Sequence, residues 1–212
     1  MPFAWTERQF VGGALCLDFA NTVYYADDAA RRGDRLRDGA DIAAWLAAAI
    51  RFDAATCYIP LITVPDCSFD TPAVLDMLAL RQSIDELFRT AASGMAPPSL
   101  AFRPLLYALG NAMSEVAVDI GADGLVPKIA PAAGASPATA RAALAHSGLA
   151  LAQSPVIAQV KSCPNCNWLF VDRSRNASRV WCDMLTCGNR AKARRHQIRK
   201  RPNLTIVPDF DG

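Results

Sequence analysis

No stretch of this sequence holds about 18 consecutive apolar residues, and the longest candidate, Ile42 to Ile50, is too short to cross a bilayer as a helix. The first ten residues lack a basic region followed by an apolar core, so no secretory leader is expected. The expected compartment is the cytoplasm, with no membrane partner, where thiols stay reduced. Histidine is scarce, with two in 212 residues, and neither a glycine-rich phosphate loop nor a Gly-x-Ser-x-Gly elbow occurs. Seven cysteines are an odd number, which argues against a disulfide framework in such a compartment. No acidic residue falls between Asp183 and Asp209, so charge in that stretch is not neutralised locally.

Apolar residues make up 52% of the chain and charged ones 20%, enough for one full core and a small satellite module. The net charge of +2 is unevenly spread. Residues 1–160 hold 11 Lys/Arg against 16 Asp/Glu, and residues 161–212 hold 11 against 4. Half the positive charge therefore sits in a quarter of the chain, which points to a polyanion partner for the tail.

Along the chain, Phe10 to Val23 mixes signals. Gly12-Gly13 reads as a turn; Leu15, Leu17 and Phe19 alternate as in a strand, while a helix from Asp18 is also open. Asp18 and Asn21 could line a pocket or serve as caps. Asp27 to Asp38 reads as a charged surface loop. Asp41 is placed to cap a helix carrying Ile42, Trp45, Leu46 and Ala49, and Arg51 to Asp70 reads as loop. Asp70-Thr71-Pro72 is a helix start, followed by Val74, Leu75, Leu78, Ile84, Leu87 and Phe88 at helical spacing up to about Gly94. A further helix is expected from Pro104 to about Val116, then a hairpin of 116–119 with 125–129 around Gly121 to Gly124. The Ala-rich stretch Pro137 to Gln153 is expected to be helical and leads almost directly into a cysteine cluster.

That cluster is Cys163-Pro-Asn-Cys166, fifteen residues, Cys182, four residues, Cys187. Thiolates bind zinc tetrahedrally at about 2.3 Å, and two cysteines flanking Pro164-Asn165 can reach one metal from a tight turn. A hairpin of Trp168–Asp172 with Arg179–Cys182, turning over 173–178, would return the second pair. Cys187 then lies beside a helix start, with Gly188-Asn189 as the cap. Four unrelated thiols and an iron–sulfur cluster are the alternatives. His196 could replace a cysteine, but four thiolates already complete the shell. A closed shell holds a fold rather than doing chemistry, so one structural zinc ion is expected. Trp168, Phe170 and Trp181 read as the small core of this module, or as platforms for bases.

Arg190 to Arg201 contains seven Lys/Arg in twelve residues, is made of good helix formers and stops at Pro202. Ala191 and Ile198 form a narrow apolar stripe for docking the helix on the finger. The flanks leave Arg190, Lys192, Arg194, Arg195, Arg199, Lys200 and Arg201 for phosphates or base edges, and the preceding turn adds Arg173, Arg175 and Arg179. A solvated basic face, or one paired with the acidic N-terminal part, is the plainer alternative.

The run from Cys163 to Lys192 resembles the CGNR-type zinc finger, named for Cys187-Gly188-Asn189-Arg190, and Phe10 to Val23 looks like the start of the ABATE domain that precedes it. The resemblance implies zinc at Cys163, Cys166, Cys182 and Cys187 and a DNA-binding role, since members are described as stress-induced transcription regulators. The expected architecture is α+β. A mainly helical N-terminal domain with a small β element spans 1–155 and folds without metal; a treble-clef or ribbon-like finger with a basic helix spans 156–212. The larger part is expected to sense a small-molecule effector or to form a homodimer. No catalytic residue is expected; Cys57 or Cys67 with His146 is the only nucleophile–base pairing on offer, and isolated residues of this kind are usually structural. An RNA-associated finger, and an enzyme or protein-interaction module stapled by zinc, are the alternative functions.

Overall fold

The structure is a computed structural model that describes residues 3–52, 68–112, 115–120, 127–131 and 136–200. Cys57, Cys67 and Arg201 lie outside these residues, as does most of the loop expected at 51–70. Six α-helices are described: α1 (Leu15–Ala20), α2 (Gly39–Phe52), α3 (Thr71–Ala92), α4 (Arg103–Ala112), α5 (Pro137–Gln153) and α6 (Asn189–Lys200). Three two-stranded antiparallel ribbons accompany them: β1 (Val23–Tyr24) with β2 (Gly33–Asp34), β3 (Val116–Ile120) with β4 (Pro127–Pro131), and β5 (Val160–Ser162) with β6 (Leu169–Val171). The mainly helical α+β architecture is therefore present.

The first ambiguity resolves as helix, beginning at Leu15, three residues before the Asp18 start left open by the sequence. Every residue of α1 is buried, so no polar face betrays its period and the alternation of Leu15, Leu17 and Phe19 misleads. Gly13 takes φ +76°, and the Gly12 amide donates to Asp18 Oδ1 at 2.8 Å, which pins the turn against the helix. A six-residue helix is marginal alone; this one persists because the core surrounds it.

The long helix α3 begins as expected, with Asp70 accepting from the Ala73 amide and Pro72 in the first turn. It ends just before Gly94 at φ +79°. In α2 the capping roles move by three residues. Asp38 Oδ1 accepts from the Asp41 amide, and the buried Asp41 carboxylate reaches back to the amide and guanidinium of Arg37. Ile42, Trp45 and Leu46 of α2 and Met77, Ile84, Leu87 and Phe88 of α3 share one core with α1, with Phe19 and Trp45 ring centroids 4.9 Å apart. Each such side chain contributes about 2–3 kcal/mol of hydrophobic stabilisation. The alanines of α5 let α4 approach closely: a Cβ on Gly148 would sit 2.7 Å from Leu105 Cδ2. The expected β3–β4 hairpin forms in register Val118↔Ile129, its second strand two residues later than expected.

The same core also takes Val160, Leu169 and Val171 from the β5–β6 ribbon. The β5–β6 ribbon thus sits between two apolar clusters, giving Val160, Leu169 and Val171 to the helical core and Phe170 to the cluster of the four cysteines.

Candidate metal centre and basic helix

The expected finger hairpin is replaced by a different pairing. β6 pairs with β5, which precedes the first cysteine, and residues 179–182 form no strand. The cysteine turn is itself the hairpin loop. The Cys163 amide donates to the Trp168 carbonyl at 2.8 Å and the Asn167 amide to the Cys163 carbonyl at 2.8 Å, with Asn167 left-handed at φ 65°. Asparagine is among the few side chains that tolerate this conformation.

Residues 172–182 are shaped by one buried carboxylate instead of a ladder. Asp172 Oδ1 accepts from the amide and hydroxyl of Ser174, and Oδ2 accepts from the Arg179 amide at 2.8 Å and from Lys161 Nζ at 2.6 Å. Burial alone would push this carboxyl up; the Lys161 ammonium and the Ser174 and Arg179 donors outweigh it and hold Asp172 well below the usual carboxylate range. Neither Asp172 nor Lys161 stands out in the sequence, because neither sits in a ligand pattern.

The second cysteine pair follows from Asp183. Its carboxylate accepts from the Leu185 amide and the Thr186 hydroxyl, and its carbonyl accepts from the amides of Cys187 and Gly188. Asp183, and not Gly188-Asn189, therefore caps the π-type turn Met184–Gly188 that presents Cys187. The four sulfurs of Cys163, Cys166, Cys182 and Cys187 all lie within 4.8 Å of one another, and all four residues are buried. Cys166 and Cys182 Sγ are 3.4 Å apart, and Cys182 and Cys187 Sγ 3.6 Å. Tetrahedral zinc at its usual sulfur distance requires edges of about 3.8 Å. These cysteines form no disulfide. Their neighbours Cys166, Cys182 and Cys187 pull the Cys163 thiol down, while Cys163, Cys166 and Cys187 push Cys182 up. Four thiols this close cannot all ionise unless a cation takes the charge. The donor set fits one zinc ion, and Asn165 Nδ2 supports it by donating to Cys187 Sγ at 3.3 Å. His196 is exposed on α6 and is not part of the cluster.

Phe170 and Trp181 pack on the cysteines, as expected of a small core, and Val11 and Tyr25 join from the N-terminal part. Trp168 faces the same way: its Nε1 donates to the Val23 carbonyl at 3.0 Å and Arg35 lies 5.3 Å over its ring. That face is unavailable to a base. Further bonds bind module and core. Asn21 donates to the Leu169 carbonyl and accepts from its amide, both at 2.8 Å; the Val171 amide donates to Gly12 O at 2.8 Å; and the Tyr25 amide donates to Cys166 O at 3.1 Å. Asn21 stands at the C-cap of α1, its backbone amide donating to the Leu17 and Phe19 carbonyls, and its side chain splints β6.

The basic residues divide into two groups. Arg179 stacks 4.7 Å over Phe170 and donates to the Trp181 and Cys182 carbonyls. Arg173 donates to Gly13 O at 3.0 Å, and Arg190 to Tyr25 Oη at 3.2 Å. Arg175, Lys192, Arg194 and Arg195 are exposed and make no side-chain ion pair among the described residues. The backbone of Ile198, Arg199 and Lys200 continues the helix. The stripe residue Ala191 is half-buried.

The expected nucleophile–base pairing has only His146 among the described residues, half-buried on α5. The remaining thiol in the core, Cys16, is fully buried and pushed up to about 12 by desolvation, which makes it inert at neutral pH. No helix among the described residues is long and apolar enough to cross a membrane.

Residues 159–200 match the CGNR zinc finger, and no curated protein matches the chain. Residues 13–160 match ABATE, described as "Putative stress-induced transcription regulator". The match spans well over half of the sequence, so the chain belongs to the ABATE family and carries a C-terminal CGNR zinc finger.

Proposed function

We propose that this protein is a zinc-dependent, DNA-binding transcriptional regulator of the cytoplasm, with a ligand-sensing or dimerising part up to about residue 155 and a finger after it. One observation carries the reading: Lys192, Arg194 and Arg195 are exposed and without an ion pair among the described residues, on a helix that continues directly from the turn carrying Cys187. Arg175 stands exposed on the loop of the same module. Holding these charges together costs self-repulsion that a polyanion relieves. In this reading Cys163, Cys166, Cys182 and Cys187 hold the zinc, and Arg190, Lys192, Arg194, Arg195 and Arg199, with Lys200 and Arg201, meet phosphates or base edges. Arg173 and Arg179 act by orienting the module. A metal shell closed by four thiolates offers no open position, so the zinc supports a fold and we assign no enzymatic role. A single finger has a short footprint, and useful specificity calls for two copies.

The test is a titration with duplex DNA at several salt concentrations, run beside single-stranded RNA. About four to six phosphate contacts give a slope of log K against log salt of roughly −4 to −5 on B-DNA. Arg194→Ala should weaken binding on every sequence and make the slope about one unit shallower. Salt-independent binding, or tighter binding to RNA, would overturn the DNA assignment.

A further inference from the structure

A cleft of about 830 Å³ opens between α3, the β1–β2 ribbon and the cysteine turn. Its volume is in the range of sites that take small molecules. One wall is a single face of α3, where Leu78, Gln82, Asp85, Glu86 and Arg89 recur at helical spacing. The opposite wall is Ala20, Val23, Ala26, Asp27 and Arg32, and Asn167 closes one end.

The charges around this cleft fall into two sets. Arg81 is tied to both carboxylate oxygens of Asp34 and to the Thr22 hydroxyl; Arg89 is tied to Asp85 at 2.7 Å and to the Asn167 carbonyl at 3.1 Å. These are bound into the frame and cancel in pairs. Among the described residues the guanidinium of Arg32 and the carboxylate of Asp27 make no hydrogen bond, Asp27 feels only the more distant charge of Arg31, and the Glu86 carboxylate accepts from the neutral Gln82 amide at 2.8 Å. Small apolar side chains of Ala20, Val23, Ala26 and Ala79 line the same cleft. A site with a guanidinium, two carboxylates not paired to a cation of its own lining and apolar walls suits a molecule that carries an ammonium, a carboxylate and a short apolar body.

We propose that this cleft binds a small zwitterion of the amino-acid or dipeptide class, and that occupancy is transmitted to the metal centre through Arg89 and Asn167. Glu86 and Asp27 receive the ammonium, and Arg32 receives the carboxylate. Asp85 and Arg89 lie in the wall, and Arg89 grips both the carbonyl and the side chain of Asn167, the residue after the metal ligand Cys166. A ligand that settles this wall therefore holds the cysteine turn closed, and zinc leaves more slowly. The proposal gives the sensing part of the reading above its ligand class, but binding and zinc retention are measured without DNA, so either idea can fail alone.

The experiment uses the zinc-loaded full chain. Thermal unfolding is scanned with each of the twenty amino acids and a set of dipeptides, with propylamine and propionate as half-ligand controls. At about a hundred times Kd, a binder raises Tm by about 5–10 °C. The same binder should slow zinc transfer to a chromogenic chelator several-fold. Glu86→Gln and Arg32→Ala, both at exposed positions, should keep the Tm of the free protein and lose the ligand shift. Arg89→Lys should keep the shift and lose the slowing. The proposal is overturned if no zwitterion shifts Tm, if either half-ligand does as well, if the shift survives in Glu86→Gln and Arg32→Ala, or if zinc transfer ignores the ligand.

Discussion

The bond pair between Asn21 and Leu169 gives the sharpest quantitative handle on how the finger is joined to the helical core. Asn21 is 3% exposed and Leu169 is fully buried, and the two share two hydrogen bonds of 2.8 Å. Asn21→Leu keeps the approximate size but strands the Leu169 amide and carbonyl away from water. Leaving a buried polar group unsatisfied costs about 1–3 kcal/mol. Two such groups, offset by about 1 kcal/mol from the new apolar surface, give a net loss of about 1–5 kcal/mol. For a chain of this size that lowers Tm by about 2–20 °C. Asn21→Asp adds a test of sign. Its carboxylate would face the Leu169 carbonyl oxygen, which favours the protonated form and raises its folded pKa above the unfolded value near 3.9. A raised pKa contributes stability below the unfolded value that is lost as pH rises through the folded one. The gap between Asn21→Asp and wild type should therefore narrow as pH falls towards about 4. Urea unfolding of the zinc-loaded proteins from pH 7.5 down to 4.5 measures both effects. A loss below about 0.5 kcal/mol for Asn21→Leu, or a pH-independent gap for Asn21→Asp, would refute the reasoning.

Three further outcomes are expected. Metal analysis should find one zinc per chain in the wild type and none in Cys182→Ser, and chelation of the wild type should lower the Tm of the helical core as well, because Val160, Leu169 and Val171 belong to that core; an unchanged core transition would mean the two parts are separable. Gly39→Ala should destabilise by about 1–3 kcal/mol, since its Cβ would lie 2.3 Å from the Phe69 carbonyl, a backbone atom that cannot swing away; a rise in Tm would contradict that contact. Asp172→Asn should remove an acid-labile component of stability: the depressed wild-type carboxyl contributes above the unfolded value near 3.9 and loses that contribution as pH falls below it, so the two unfolding curves should converge in acid.

What could be read from the sequence follows from which signals are local. Helix α3 was legible because Asp70, Pro72 and the apolar stripe all act within one element, and the metal centre because a four-cysteine spacing is itself a geometric statement. Helix α1 was ambiguous because a fully buried segment shows no contrast between faces. The finger hairpin was misassigned for a different reason. Strand patterning in 179–182 is real, but β6 finds its partner in Val160–Ser162 and the Asp172 carboxylate takes up the donors that a second ladder would have used. No periodicity encodes a hub of that kind.

The basic residues carry the same lesson into function. All ten read alike as charge, yet Arg173 and Arg179 donate to Gly13 and to the Trp181 and Cys182 carbonyls, while Lys192, Arg194 and Arg195 do not turn inward. The first set binds the cysteine module to its neighbours, so its loss should appear first in stability and zinc retention. The second set makes no ion pair among the described residues, so its loss should leave stability within about 0.5 kcal/mol of wild type and appear in salt-dependent binding. Separating the two sets by measurement distinguishes a finger that grips a polyanion from one whose charge only keeps it soluble.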